Sequence, residues 1–485
     1  VLDHRLETGE VVSLAVEALV RAPLRATSRR WGGCGPRAWP EDRATWQNIP
    51  EPHAVIVTTT APEPDNLACA RAGARPRSTL RTAFAHRDFR LLQAARFATI
   101  VASQAQTVAI GWQVYHLTGR TLDLGLVGLV QFVPFALFAL FAGHTADRVE
   151  RRRILVATHA AKVVCSLALF AIASAEFRSP LPIYAVLALV GVERAFSGAA
   201  GQSLLPQVVP PESFANAVAW SSSVWQGAMI VGPAVGGVAY GAFGGPLVYL
   251  GAAIAAAFAT VCTLVMEVRP RETAAGPGAP SVDALLAGVR YVFRNKPILG
   301  AISLDLFAVL FGGAVALLPV FARDVLDTGP WGLGLLRSAQ GVGAMATAIF
   351  LAYRPLRRNV GVVMLVSVAI FGIATIAFGC SRSFPLSFAA LVVAGAADMV
   401  SAVIRHTLVQ LWTPDEMRGR VSAVNLVFIG ASNELGEFES GAVAALIGAV
   451  PTVIVGGLGT VVVVLLWSVL FGELRRVRTL EEGAA

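Results

Sequence analysis

The sequence predicts an all-α integral membrane protein with twelve transmembrane helices in two pseudo-repeated six-helix bundles. Three observations carry this expectation: a composition too apolar for water, a succession of apolar runs of spanning length, and a repeat relating the first six runs to the last six. Of 485 residues, 55% are hydrophobic and 14% charged, against about 25% charged in soluble domains. Residues 1–90 hold 13 Arg and 10 acids, whereas the remaining 395 hold 26 basic and 21 acidic residues among long apolar runs. This composition excludes a secreted enzyme or a nucleic-acid binder. In a membrane protein the net charge of +8 reports topology before it reports partners.

Residues 1–85 mix Pro, Arg, Ala and Gly with acids and are expected to form a disordered tail. Val11–Val20 is broken by Glu17, so it lacks the uninterrupted core of a signal peptide. No Met precedes Met229, and the expectation includes a start assigned too far upstream. A spanning helix needs about 20 apolar residues. Segments of that kind fall at 91–116, 122–146, 154–175, 182–206, 214–241, 245–266, 297–321, 331–353, 361–379, 384–411, 419–447 and 451–471. With the N-terminus inside, 22 basic residues fall in inner loops and only Arg120, Arg178, Arg323 and Arg382 in outer ones. The expectation is a multi-pass protein of the plasma (inner) membrane with both termini cytoplasmic.

The expected organisation is an N-terminal bundle at 86–266, a linker at 267–296, a C-terminal bundle at 297–475 and a tail at 476–485. Within the linker, Val282, Leu285, Leu286, Val289, Val292 and Phe293 recur at helical spacing, with Ser281 placed to cap the start. That pattern predicts an amphipathic helix on the cytoplasmic membrane face. The two halves echo each other: the segment beginning Pro211-Glu212-Ser213 after the fourth run corresponds to Pro414-Asp415-Glu416 after the tenth, an offset of 203. Duplicated six-span halves are the plan of a secondary transporter with its site between them.

Between the second and third runs the chain reads Gly143-His144-Thr145-Ala146-Asp147-Arg148-Val149-Glu150-Arg151-Arg152. A Gly there lets two helices approach, and a carboxylate beside an Arg cluster is able to latch one state of a two-state bundle; a merely topogenic Arg cluster is the plainer alternative. In the fifth run Gly232, Pro233, Gly236 and Gly237 permit close packing and a bend. The loop motif resembles the G-x-x-x-D-R-x-x-R-R signature of the major facilitator superfamily, and the fifth-run motif its G-P-x-x-G-G pattern, often associated with exporters. Further stretches, among them Gly111-Trp112-Gln113-Val114-Tyr115, Arg194-Ala195-Phe196 and Leu317-Leu318-Pro319-Val320-Phe321, resemble the branch holding enterobactin exporters and macrolide efflux proteins, over about residues 86–475. The resemblance implies proton-driven export of an amphipathic small molecule, a cavity lined by spans one, four, seven and ten, and Asp147 near the cytoplasmic start of span eleven.

Eleven Asp, Glu, Lys and Arg residues fall well inside the runs: Arg96, Lys162, Glu193, Arg194, Asp305, Arg337, Asp398, Arg405, Glu434, Glu437 and Glu439. A charge at the bilayer centre costs at least about 2.5 kcal/mol, so each is expected to face protein or water. Asp398 is the first candidate for the protonated carboxylate, with Arg405 seven residues on and on the same face; a static buried pair of the two is the alternative. Asp305, only eight residues into its span and therefore expected to be more accessible to water, is second. Glu193 and Arg194 are adjacent and expected to pair with different helices. Glu434 and Glu437 share a face and form either a relay or, preferred, part of a water-filled outer vestibule. Gln104, Gln106, Trp112 and Gln113 offer amides and an aromatic face to a ligand, core packing being the alternative for Trp112.

Only two lysines occur, neither in a nucleotide-binding loop, and no H-E-x-x-H or G-x-S-x-G is present. ATP-driven pumping and hydrolysis are therefore not expected, nor are an enzyme activity, a metal or a cofactor. The five Cys have no paired spacing. The expected function is a proton-coupled exporter working by alternating access as a monomer, its partners being a small molecule, protons and the lipid bilayer. A uniporter and a non-transporting receptor or scaffold stay open.

Overall fold

The computed structural model describes residues 82–175, 177–267, 282–356 and 358–479. Among the described residues all regular structure is helical. The spans are α1 (Arg87–Thr118), α2 (Thr121–Arg148), α3 (Arg151–Ser174) and α4 (Leu181–Val208), then Phe214–Val265, which is α5 and α6. Gly244, at φ 79° and ψ 170°, interrupts that long element, a conformation open to glycine alone at little cost. After the linker helix (Val282–Arg294) come α7 (Lys296–Gly312), α8 (Gly329–Tyr353), α9 (Val360–Cys380), α10 (Phe384–Leu411), α11 (Asp415–Ile447) and α12 (Ala449–Leu470).

Nine described helices are long and apolar enough to cross a membrane, one of them Pro211–Val265 with 55 residues. The helices α1 and α11 miss that criterion because each carries polar side chains inside its length, Gln93 to Gln113 in one and Asn425 to Glu439 in the other. Both nevertheless pack among the spans. The outward faces are apolar: Ile254, Phe258 and Val261 on α6, Val366 and Ile373 on α9, and Val462, Leu465 and Val469 on α12 are all exposed. Such a belt is stable only against lipid.

Chain direction alternates, so one end of the molecule gathers the chain around the ends of α2, α4, α8, α10 and α12, where Arg148, Arg151, Arg152, Arg153, Arg354, Arg358, Arg418, Arg420, Arg475, Arg476 and Arg478 fall, and the other gathers the Arg-poor loops. These are called the Arg-rich and Arg-poor ends. At the Arg-poor end a single apolar cluster crosses between the halves, joining Val108, Tyr115 and Leu124 to Leu317, Phe321, Leu333, Leu336 and Ala444. At the Arg-rich end the clusters stay separate. Phe89, Leu155, Leu204 and Met266 belong to the first half, while Leu304, Met364 and Leu408, and Val292, Ile302 and Val421, belong to the second.

Two contacts without intervening side chains make the seam at the Arg-poor end. A Cβ added at Gly441 of α11 would fall 2.7 Å from the Gly125 nitrogen of α2, and one at Gly237 of α5 would fall 2.7 Å from the Gly334 Cα of α8. Toward the Arg-rich end the same helices diverge. Phe141 on α2 and Tyr353 on α8 are exposed, and a Cβ at Gly143 would meet nothing within 4 Å.

Both chain-end boundaries need correction. Residues 82–85, expected in the tail, are packed: Ala83 is buried, its N–H donates to Asn216 Oδ1 at 3.2 Å, and Phe84 meets Phe89 and Trp220 edge to face. At the other end Val477 is buried and its carbonyl accepts from Gly361 N–H at 3.1 Å. Residues 1–81 and 480–485 lie outside the described residues. The linker helix joins the second half, with Tyr291 Oη donating to the Trp412 carbonyl at 3.0 Å and Gly288 against the backbone of Arg420.

Candidate functional site

Between the halves, below the Arg-poor seam, lies a cavity of about 320 Å³. Its walls come from seven spans of both halves: Gln104 on α1, Trp225, Gln226 and Met229 on α5, Val309 on α7, Arg337 and Gln340 on α8, Phe371 on α9, Asp398 on α10, and Asn433 and Glu437 on α11. The small residues of α5 set its depth. A Cβ at Gly232 would fall 2.6 Å from Gln104 Cβ and one at Gly236 would meet Ala105, so these two glycines press α5 onto α1 and aim Gln104 at Met229, where Nε2 donates to Sδ at 2.6 Å. Gly237 serves the other neighbour, α8.

Asp398 stands on the cavity wall midway along α10, exposed to it, and makes no hydrogen bond or ion pair with any described residue. A narrow cleft lined by Val368, Phe371 and Ser401 connects it to Asp305. Arg405 does not serve Asp398. Seven residues put the two on one face but about 10 Å apart along the axis, and the guanidinium ion-pairs with Asp305 of α7 instead, both side chains buried at 5% and 8% exposure. The expectation that water reaches Asp305 easily is corrected by the same pair.

The remaining charges divide between helices. Glu193 is buried and faces Lys162 of α3, with 3.8 Å from Oε2 to Nζ, whereas its neighbour Arg194 reaches across to Glu434 of α11 at 3.2 Å and lies 5.7 Å from the Phe135 ring. Glu434 and Glu437 both approach Gly128 of α2, where any larger residue would displace them. Glu437 continues into the cavity, and Glu439 accepts from Ser440 Oγ at 3.5 Å. The preferred outer vestibule is corrected: apolar packing closes that end, and the acids look inward.

Of the four residues expected to meet a ligand, only Gln104 lines the cavity. Gln106 is buried and donates to Ser166 Oγ of α3 at 2.8 Å. Gln113 accepts from Tyr249 Oη of α6 at 2.6 Å, and Trp112 packs on the cluster of the Arg-poor end. Gln226, Gln340, Asn433, Trp225 and Met229 were not singled out from sequence. The signal was present in the three amides, each a polar group inside an apolar run.

In the loop motif, Arg152 caps the end of α6, its Nε donating to the Thr263 carbonyl at 3.1 Å and its Nη2 to the Leu264 carbonyl. A cation there meets the negative end of the helix dipole. Arg148 is exposed, Arg151 is half-buried, and Arg153 pairs with Glu150 at 2.9 Å. The side chain of Asp147 lies outside the described residues. At the Arg-poor end, Tyr115 Oη donates to Asp324, while Arg323 donates to the Tyr115 carbonyl at 3.3 Å; together they tie α1 to the helical turn Phe321–Val325 that follows α7.

Residues 78–483 match the family described as transmembrane secretion effector. The chain is 28% identical over 398 residues to the enterobactin exporter EntS of Citrobacter koseri, covering 81% of this chain and 94% of that one, and 27% identical over 404 residues to that of Salmonella typhi, with the same coverage. Among solved structures it resembles the nucleoside transporter NupG, with a TM-score of 0.60 at 16% identity over 79% of this chain and 99% of that one. A bacterial homolog of the human lysosomal transporter Spinster, inward-facing and occupied, superposes with a TM-score of 0.60 at 16% identity, over 81% and 97% of the two chains.

Proposed function

The chain belongs to the transmembrane secretion effector family, a membrane-transporter family of the major facilitator fold, and from that premise we propose that it is a proton-coupled exporter of an amphipathic small molecule working by alternating access. The observation that carries the proposal is the cavity: it lies between two halves, is sealed at one end by packing across them, and has an unpaired carboxylate, Asp398, on its wall. An unpaired acid this deep is costly in a static scaffold and useful in a transporter, where protonation and substrate binding compete or cooperate in one chamber.

The Arg excess supports a cytoplasmic Arg-rich end; on that reading the state described is inward-facing and the membrane is the inner one. Residues 86–266 and 297–475 are the two moving bodies, and the linker helix Val282–Arg294 travels with the second. Gly143, Asp147, Arg148 and Arg151 act as a latch in the opposite state, when α2 and α11 close at the cytoplasmic end; Arg152 holds their loop to α6.

Efflux from proteoliposomes with and without a pH gradient tests the reading. Asp398→Asn is expected to abolish gradient-driven efflux while substrate binding persists. Normal coupling in well-folded Asp398→Asn overturns the assignment, and movement indifferent to any gradient makes the protein a uniporter.

A further inference from the structure

The cavity also holds a guanidinium that no described residue engages. Four arginines lie six or more residues from either end of a span. Arg405 is paired with Asp305 and Arg194 with Glu434. Arg96, nine residues after the start of α1, does not line the cavity, and its long stem can carry the charge toward the nearby Arg-rich end. Arg337 differs from all three. It lines the cavity and makes no hydrogen bond or ion pair with any described residue. Glu437, on the facing wall, feels its charge without touching it.

Arg337 has no route to the nearer, Arg-poor end. It lies eight residues from the start of α8, about 12 Å along the helix, and between it and that end stand the contact of Gly334 with Gly237 and the buried Leu333 and Leu336. A cation confined at such depth is stable when a counter-charge meets it. The surroundings describe the missing partner: Gln340 one turn along α8, with Gln226 and Asn433 from facing helices, offers neutral hydrogen bonds, and Trp225 with Met229 offers an aromatic and polarisable wall.

We propose that the transported substrate class is an amphipathic organic anion, whose carboxylate or similar planar oxyanion is held by Arg337 while its apolar body lies on Trp225 and Met229. The planar fork of Arg matches two oxygens of such a group, which a point charge does not. The bound anion shares the cavity and the field of Arg337 with Glu437, so substrate entry is felt by a carboxylate on the facing wall. The inference rests on the cavity being the substrate path and deepens the exporter reading by naming what it carries.

The test uses the full chain purified in detergent and three probes of one shape, 2-naphthoate, its methyl ester and 2-naphthylmethylammonium, with binding read by equilibrium dialysis. Naphthoate alone is expected to bind. Its affinity should fall at least tenfold in Arg337→Gln and by a smaller factor in Arg337→Lys, with the thermal midpoint of each variant confirming the fold. Equal binding of the ester, preference for the ammonium, binding of none of the three, or undiminished naphthoate affinity in folded Arg337→Gln overturns the proposal. Where Arg337→Gln does not fold, undiminished affinity in Arg337→Lys does so. The readout needs no gradient, so a failed coupling experiment at Asp398 leaves this result standing, and a failure here leaves coupling untouched.

Discussion

Ion pairs buried between the spans of one half and the ion pair that crosses the seam are built differently. Arg405 with Asp305 joins α10 to α7 within the second half, and Lys162 with Glu193 joins α3 to α4 within the first; all four side chains are at most 13% exposed. Arg194 with Glu434 joins α4 to α11 across the halves, and there the Arg side chain is 44% exposed. Arg323 and Asp324, in the helical turn after α7 that links to Tyr115 of α1, are comparably open. A dry pair is strongly destabilising to break, because the surviving charge is left buried, whereas a wet pair separates at little cost. The halves are thus held rigid by contacts that persist, and joined by contacts that can be exchanged.

Four substitutions sharpen or break that contrast. Asp305→Asn should destabilise the protein most, by about 3–5 kcal/mol in thermal unfolding, with partial recovery when Arg405→Met removes the stranded charge; equal stability of the single and double variants would make the pair irrelevant to the fold. Gly334→Val places side-chain atoms where the Gly237 backbone sits and should cost about 1–3 kcal/mol. It should also speed maleimide labelling of a cysteine placed at Leu124, which is buried in the seal. Arg194→Gln should cost less than about 1 kcal/mol yet raise the same labelling rate, and an unmoved rate would remove this pair from the seam. Gly143→Val should leave the melting of the protein unchanged, since its site is open, while efflux in proteoliposomes should fall if α2 closes on α11 in the proposed cycle.

The spans and linker helix were legible because they depend on one-dimensional signals. The apolar face of Val282–Phe293 appears as the linker helix Val282–Arg294, and α1 and α11 were visible despite their polar content because the loops around them alternate in charge. The cavity was legible only in part. Periodicity places Gln106 and Gln113 on one face of α1, but not which neighbour that face meets; α3 and α6 take them. The spacing of Asp398 and Arg405 likewise fixes a face and leaves the partner to tertiary packing, which brings α7 between them and supplies Asp305. Arg337 stood among the intramembrane charges, but its lack of a partner is a fact of three dimensions.

The glycine crossings of the seam have a kinetic consequence. Where Gly125 meets Gly441 and Gly237 meets Gly334, backbone lies on backbone with no side chain between. Contacts of that kind are held by short-range dispersion and weak Cα–H···O attraction, about 0.5–1 kcal/mol for each hydrogen bond of this type. A seam of interlocked leucines would have to lift every knob out of its hole before the halves could turn. In the proposed cycle the two smooth crossings would serve as bearings on which the halves roll, so the friction of the turnover step would fall to the side chains packed around them, Leu124, Leu317, Leu333 and Leu336 among them, and to the few polar links, and the speed of the cycle would be adjustable by single substitutions there.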